Sequence, residues 1–129
     1  RYCRSLLRKI MKHILIFILI SMCLQGCSSI KTWGSYVNLV PNKALENVTK
    51  EQINAVKVYY KESPTGKFEE VAIVEAVASG GGAGLEHVFS ALKTQAALIQ
   101  GDGVFKIEIE RYSGATSNIH ATGVVIRKL

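Results

Sequence analysis

The chain reads as a small α+β domain, with one helix packed on a mostly antiparallel sheet in the order strand, strand, helix, strand, strand. Three observations point there. Phe105, Ile107 and Ile109 alternate with Lys106, Glu108 and Glu110, a period of two that only an extended strand turns into one apolar face. Leu85, Val88, Phe89, Leu92, Ala96 and Ile99 recur at helical spacing and form one apolar stripe. Turn-forming clusters, Ser63-Pro64-Thr65-Gly66 and Ser79-Gly80-Gly81-Gly82-Ala83-Gly84, separate the periodic segments. A single amphipathic helix and a half-apolar sheet solve each other's burial problem by stacking.

The elements follow in order. Val56, Val58 and Tyr60 alternate with Lys57, Tyr59 and Lys61, which predicts a first half-buried strand with Tyr59 turned away from the core. Residues 68–77 form a second strand, rich in Val and Ile. Its alternation is imperfect, because Ala72, Val74 and Ala76 lie opposite Val71, Ile73 and Val77, so it is expected to be partly buried on both faces. The helix follows the glycine-rich connector, and Gly101 suits the left-handed position that ends a helix. Strand 103–112 turns through Ser113-Gly114-Ala115 into strand 117–127, which carries Ile119, Ala121, Gly123 and Val125 on one side and Val124 and Ile126 on the other. An apolar second face on so small a sheet favours self-association or a partner.

The domain organisation has three parts: an extension and leader over 1–26, a tether over 27–54, and the α+β domain over 55–129. Within the tether, Trp33, Tyr36, Val37, Leu39 and Val40 break the pattern of a flexible spacer, and are expected to add a short strand or lie on a membrane or domain surface. A turn of helix is expected over 45–53.

The leader carries the clearest functional signal. Met11 is the expected start, Lys12 and His13 form a short basic head, and Ile14 begins a run of seven apolar residues ending at Ile20. A bilayer span needs about 20 apolar residues, so this run is too short and fits the apolar core of a secretion signal. Leu24-Gln25-Gly26-Cys27 resembles the lipobox of bacterial lipoproteins. The resemblance implies cleavage before Cys27, a diacylglycerol thioether-linked to its sulfur and an acyl chain such as palmitate on the new amino terminus, with membrane lipid as the first partner. Two or three acyl chains make a stable anchor where one does not. Ser28 and Ser29 lack the aspartate that retains such proteins at the inner membrane, which implies an outer-membrane lipoprotein facing the periplasm.

Charge narrows the function further. The whole chain is +6, yet from Cys27 onward 11 basic and 10 acidic residues leave only +1. No concentrated basic footprint remains for nucleic acid. Cys3 and Cys23 lie upstream and Cys27 is the lipid acceptor, so no thiol is left for a disulfide, a nucleophile or a metal.

The remaining polar residues form no chemical constellation. The glycine-rich connector fails the dinucleotide fingerprint in both registers, because Leu85 or His87 stands where the third glycine belongs. His87 and His120 bind a metal together only if the fold makes them meet. Asp102 follows the helix-ending glycine and reads as a turn residue, and Glu108 and Glu110 as the solvated side of a strand. No catalytic, cofactor or metal residue is assigned, and the chain is not expected to be an enzyme. Trp33, Tyr59 and Tyr112 are the candidate surface-recognition residues, with Tyr59 and Tyr112 expected to share an exposed patch if their strands are neighbours.

The stretch 92–123, through Leu92, Lys93, Ala96, Ala97, Gly101, Asp102 and Val104 to Ala121-Thr122-Gly123-Val124, resembles the small YbjQ-like and RcsF-like alpha/beta domains. The resemblance implies the fold of 56–129. One branch of that family consists of stress-sensing outer-membrane lipoproteins that depend on disulfides, another of small oligomers, and a third of lipoproteins without an assigned role. The leading expectation is therefore a membrane-anchored, non-catalytic envelope lipoprotein that binds another envelope protein or forms a homo-oligomer. The alternatives are a small-ligand or cell-wall-associated binder or enzyme, and an envelope stress-signalling lipoprotein.

Overall fold

In the computed structural model the described residues are Met11, His13, Ile14, 29–114 and 117–129. Cys27 and most of the leader lie outside them. The elements are β1 (Lys31–Asn38), α1 (Lys50–Ala55), β2 (Lys57–Val58), β3 (Phe68–Ser79), α2 (Leu85–Leu98), β4 (Gly103–Tyr112) and β5 (Asn118–Lys128). The strands form one five-stranded sheet in the order β1-β3-β5-β4-β2. Only the β2–β4 pair is parallel. One substantial helix, α2, packs on this mostly antiparallel sheet, so the architecture is the α+β layer pair that the sequence predicts.

The covered face is built from small residues. Ala72, Val74, Ala76 and Ala78 of β3, with Ile119, Ala121 and Val125 of β5, are all buried. They meet Val88, Ala91, Leu92, Ala96 and Ala97 of α2. Alanines and glycines let the helix approach closely. A Cβ at Gly123 would lie 2.6 Å from Val104 Cγ1, and one at Gly34 would lie 2.8 Å from Gln95 Cγ. Such close packing has no room for an added methyl group without a shift.

Two expectations about the helix and the first strand are corrected. The left-handed residue at the end of α2 is Gln100, with φ 58°, not Gly101. Gly101 is needed for closeness instead, since a Cβ there would lie 2.1 Å from Val125 Cγ1. The first expected strand is reduced to the two residues of β2, and Tyr59 does not point outward: it is 6% exposed and packs with Phe105 and Ile126. The cause lies in the neighbouring strand. Its ring covers Gly103, where a Cβ would lie 2.7 Å from Tyr59 Cε2. A second, smaller apolar cluster thus closes one end of the sheet's other face, completed by the edge-on Phe68–Phe105 pair at 5.5 Å.

Most of the expected tether is built into the domain. β1 pairs with β3 along its whole length, from Lys31↔Ser79 to Asn38↔Ala72. Beyond it, the chain wraps under the end of α2. The Leu45 N–H donates to the Leu98 carbonyl at 2.7 Å, and Asn42 Nδ2 donates to the Ile99 carbonyl at 2.6 Å. These bonds satisfy carbonyls that a helix end leaves without partners. Val40, Ala44, Val48 and Ile53 pack on the core. The helical turn expected over 45–53 is α1, which starts later, at Lys50, because Thr49 and Gln52 form a reciprocal capping box. The physical reason for the whole difference is burial on one face only: Tyr36 packs on the core while Trp33 and Val37 stay exposed, so the segment lacks a strongly apolar pattern.

Candidate functional site

The face of the sheet away from α2 is covered only at the Tyr59 end. Strand register lays out the remainder in rows. Trp33 of β1 stands beside Val77 of β3, His120 of β5 and Glu110 of β4. The next row is Ser35, Glu75, Thr122 and Glu108, and the one after it Val37, Ile73, Val124 and Phe105. Trp33, Val37 and Ile73 are 54%, 66% and 45% exposed. These are large apolar side chains left in water on adjacent strands.

Polar groups run through the middle of this face. His120 Nε2 lies 3.2 Å from Glu75 Oε1, and its Nδ1 lies 3.8 Å from Glu110 Oε2. One imidazole is thus held between carboxylates from the two flanking strands. Tyr112, also exposed, donates its hydroxyl to the Glu110 carboxylate. That hydrogen bond, together with the carboxylate's charge, raises the Tyr112 phenol above its usual range. Glu108 adds a third carboxylate to the exposed surface.

Of the predicted recognition residues, Trp33 and Tyr112 are on this face and exposed, whereas Tyr59 is buried. Tyr59 and Tyr112 therefore share no exposed patch. Cys27, the predicted lipid site, lies outside the described residues. Periodicity alone did not single out Val37, Ile73, Glu75 or His120 as neighbours. The signal available was the imperfect alternation of β3, which marks a strand with apolar side chains on both faces.

The other polar candidates are separated or occupied. His87 lies in the first turn of α2, over the covered face, while His120 is on the opposite one, so the two do not meet. His87 Nδ1 accepts a hydrogen bond from the Gly84 N–H at 3.0 Å and so caps its own helix. Among the described residues no group of three or more His, Cys, Asp or Glu side chains is arranged to hold a metal ion. The Asp102 carboxylate accepts the Lys128 N–H at 2.8 Å, and its own N–H donates to the Ile126 carbonyl, so it pins the end of β5 rather than making a purely local turn. A shallow groove of about 550 Å³ runs between α1, β2 and α2, lined in part by Ile53, Lys57, Glu86, Phe89 and Lys93. Among the described residues no polar or charged residue is buried as a whole, although the Asn118 Oδ1 atom is buried without a hydrogen-bond partner. Among the described residues no helix is long and apolar enough to cross a membrane.

No protein-family profile matches the chain, and none of the curated proteins does. Among solved structures, the crystal structure of a Francisella virulence factor, FvfA, in its orthorhombic form is similar, with a TM-score of 0.50 at 16% identity. The similarity covers 76% of this chain and 100% of that one. At this identity the likeness concerns the fold alone.

Proposed function

We propose that this protein is an envelope lipoprotein, anchored through acylated Cys27 in the outer membrane and facing the periplasm, whose domain binds another envelope protein rather than catalysing a reaction. The observation that carries the binding part is the uncovered sheet face, with Val37 and Ile73 exposed beside Glu75 and Glu108. Its charge selects the kind of partner. Glu75, Glu108 and Glu110 give the face an acidic middle, which suits a partner that presents basic and apolar side chains together. A second copy stacked face to face would set these carboxylates against one another. The anchoring part rests on the Leu24-Gln25-Gly26-Cys27 sequence after a short apolar run.

The test has two arms. Palmitate labelling with membrane fractionation is expected to mark the wild-type chain in the outer membrane and to leave Cys27→Ala unlabelled. An unlabelled, unanchored wild type overturns the anchor. In vivo photo-crosslinking from position 73 is expected to trap a different envelope protein, and Val37→Asp, at the exposed position paired with it on β1, to abolish the product. A product made only of two copies of this chain replaces the partner reading with self-association. No product at all removes the face from the function.

A further inference from the structure

Few residues separate Cys27, the acylation site of the reading above, from the folded domain. Had residues 27–54 been free, 28 residues would let the domain stand as much as about 95 Å from its lipid. With β1 starting at Lys31, only Ser28, Ser29 and Ile30 separate Cys27 from the sheet. Four residue steps reach at most about 14 Å. The approach to β1 is itself held. A Cβ at Gly80 would lie 3.2 Å from both the Ser29 carbonyl oxygen and Ile30 Cα, so these residues run directly against the turn that follows β3. The lipid is thus tied to one particular end of the sheet.

That end has the side chains of a membrane–water boundary. Its last row is Lys31, Ser79, Asn118 and Tyr112, joined by register across four strands and so roughly 14 Å wide. Trp33 stands one row in, on the same face. Trp33 and Tyr112 are both more than half exposed, at 54% and 56%. Tryptophan and tyrosine favour the headgroup level, where an apolar ring and a polar edge are satisfied at once. Lys31 and Arg111 are exposed at the same end and supply cations for lipid phosphates. Glu110, on the same face one row in, accepts the Tyr112 hydroxyl and faces His120.

We propose that this end of the sheet, through Trp33, Tyr112, Lys31 and Arg111, docks on the phospholipid surface that holds the lipid of Cys27. The inference rests on the anchor reading above and deepens it: the domain is held against the bilayer in one orientation. Its sheet stands up from the surface, and Val37 and Ile73, further from the anchored end, remain open to a partner.

Trp33 is the chain's single tryptophan, so its fluorescence reports this contact without ambiguity. The full-length lipidated protein is reconstituted in phosphatidylethanolamine–phosphatidylglycerol vesicles containing headgroup-spin-labelled phospholipid, with acylation of Cys27 verified by mass spectrometry. The expected result is loss of most Trp33 emission to the spin label, and protection from aqueous iodide compared with the Cys27→Ala protein free in solution. Acylated protein whose Trp33 ignores the spin label overturns the docking and leaves the anchor standing. This holds whether iodide reaches the ring, as in solution, or is excluded by a protein contact. A chain with no lipid on Cys27 overturns both. Tyr112→Ser is expected to weaken the spin-label quenching while leaving acylation intact, and unchanged quenching removes Tyr112 from the contact.

Discussion

The two faces of this sheet are made from the same strands, yet they obey opposite rules. Beneath α2, β3 and β5 present alanine, valine, glycine and Ile119, every side chain is buried, and single methyl groups are excluded by neighbours closer than 3 Å. On the other face the same two strands present Ile73, Glu75, Val77, His120 and Thr122, with bulky and charged groups at partial or full exposure. The covered face is limited by packing, where volume decides. The open face is covered only at its Tyr59 end, so most of its side chains meet no packing limit from the rest of the domain. A strand's alternate residues can thus separate tight packing from exposure over a few ångströms.

Truncation is expected to separate the faces most sharply. Leu92 is fully buried on the sheet-facing side of α2, and Leu92→Ala is expected to cost about 2–5 kcal/mol. Ile73→Ala, on the open face, is expected to change stability by about 0.5 kcal/mol or less. Urea unfolding of both variants measures the contrast, and equal losses would mean that the open face is also core. Enlargement is the converse. Gly123→Val is expected to cost about 1–3 kcal/mol, since its Cβ would crowd Val104 Cγ1 at 2.6 Å. Val37→Leu, with its side chain in water, is expected to be near neutral.

A smaller effect probes the helix that makes one face different from the other. Gln100 holds a left-handed backbone that glycine adopts freely, so Gln100→Gly is expected to stabilise the domain by about 0.5–1 kcal/mol. The loss of the Gln100 Nε2 bond to the Lys43 carbonyl offsets part of this gain. Thermal unfolding reads the balance, and a clear loss would show that the bond matters more than the backbone.

The smallest effect is electrostatic and belongs to the open face. The Glu110 carboxylate accepts the Tyr112 hydroxyl and, by hydrogen bond first and charge second, raises that phenol above 10.0. A raised value means the folded state favours the protonated phenol. The contribution is fully present below the unfolded tyrosine value and fades as pH rises through the higher folded value. Glu110→Gln is expected to bring the Tyr112 titration back toward the ordinary range, read by ring resonances in NMR. An unchanged titration would show that the pair does not persist in solution.

Legibility in the sequence followed the same division between faces. β4 and α2 were readable because each carries a regular apolar period with a polar complement. β5 and β3 were readable as strands, though not in their pairing. Tyr59 was misread because local alternation says which residues share a face, not whether that face is buried: Gly103, more than forty positions away, makes the space for its ring. β1 was ambiguous for a related reason. As an edge strand it buries little, and only its register with β3 brings Trp33 beside Val77 and His120. Within the candidate site, Trp33 and Tyr112 were visible as aromatic residues, whereas Val37, Ile73 and Glu75 belong to it only through strand order.

By itself, the sequence determined the α+β class, the helix stripe and the near-neutral charge after residue 27, because these depend on local period and composition. Only the tertiary structure decided that β1 joins the sheet, that Tyr59 is interior, and that Trp33 and Tyr112 lie toward the end where the chain comes in from Cys27. Those outcomes depend on backbone pairing between distant segments and on space left by glycines elsewhere. Both are properties of the closed fold that no stretch of chain carries alone.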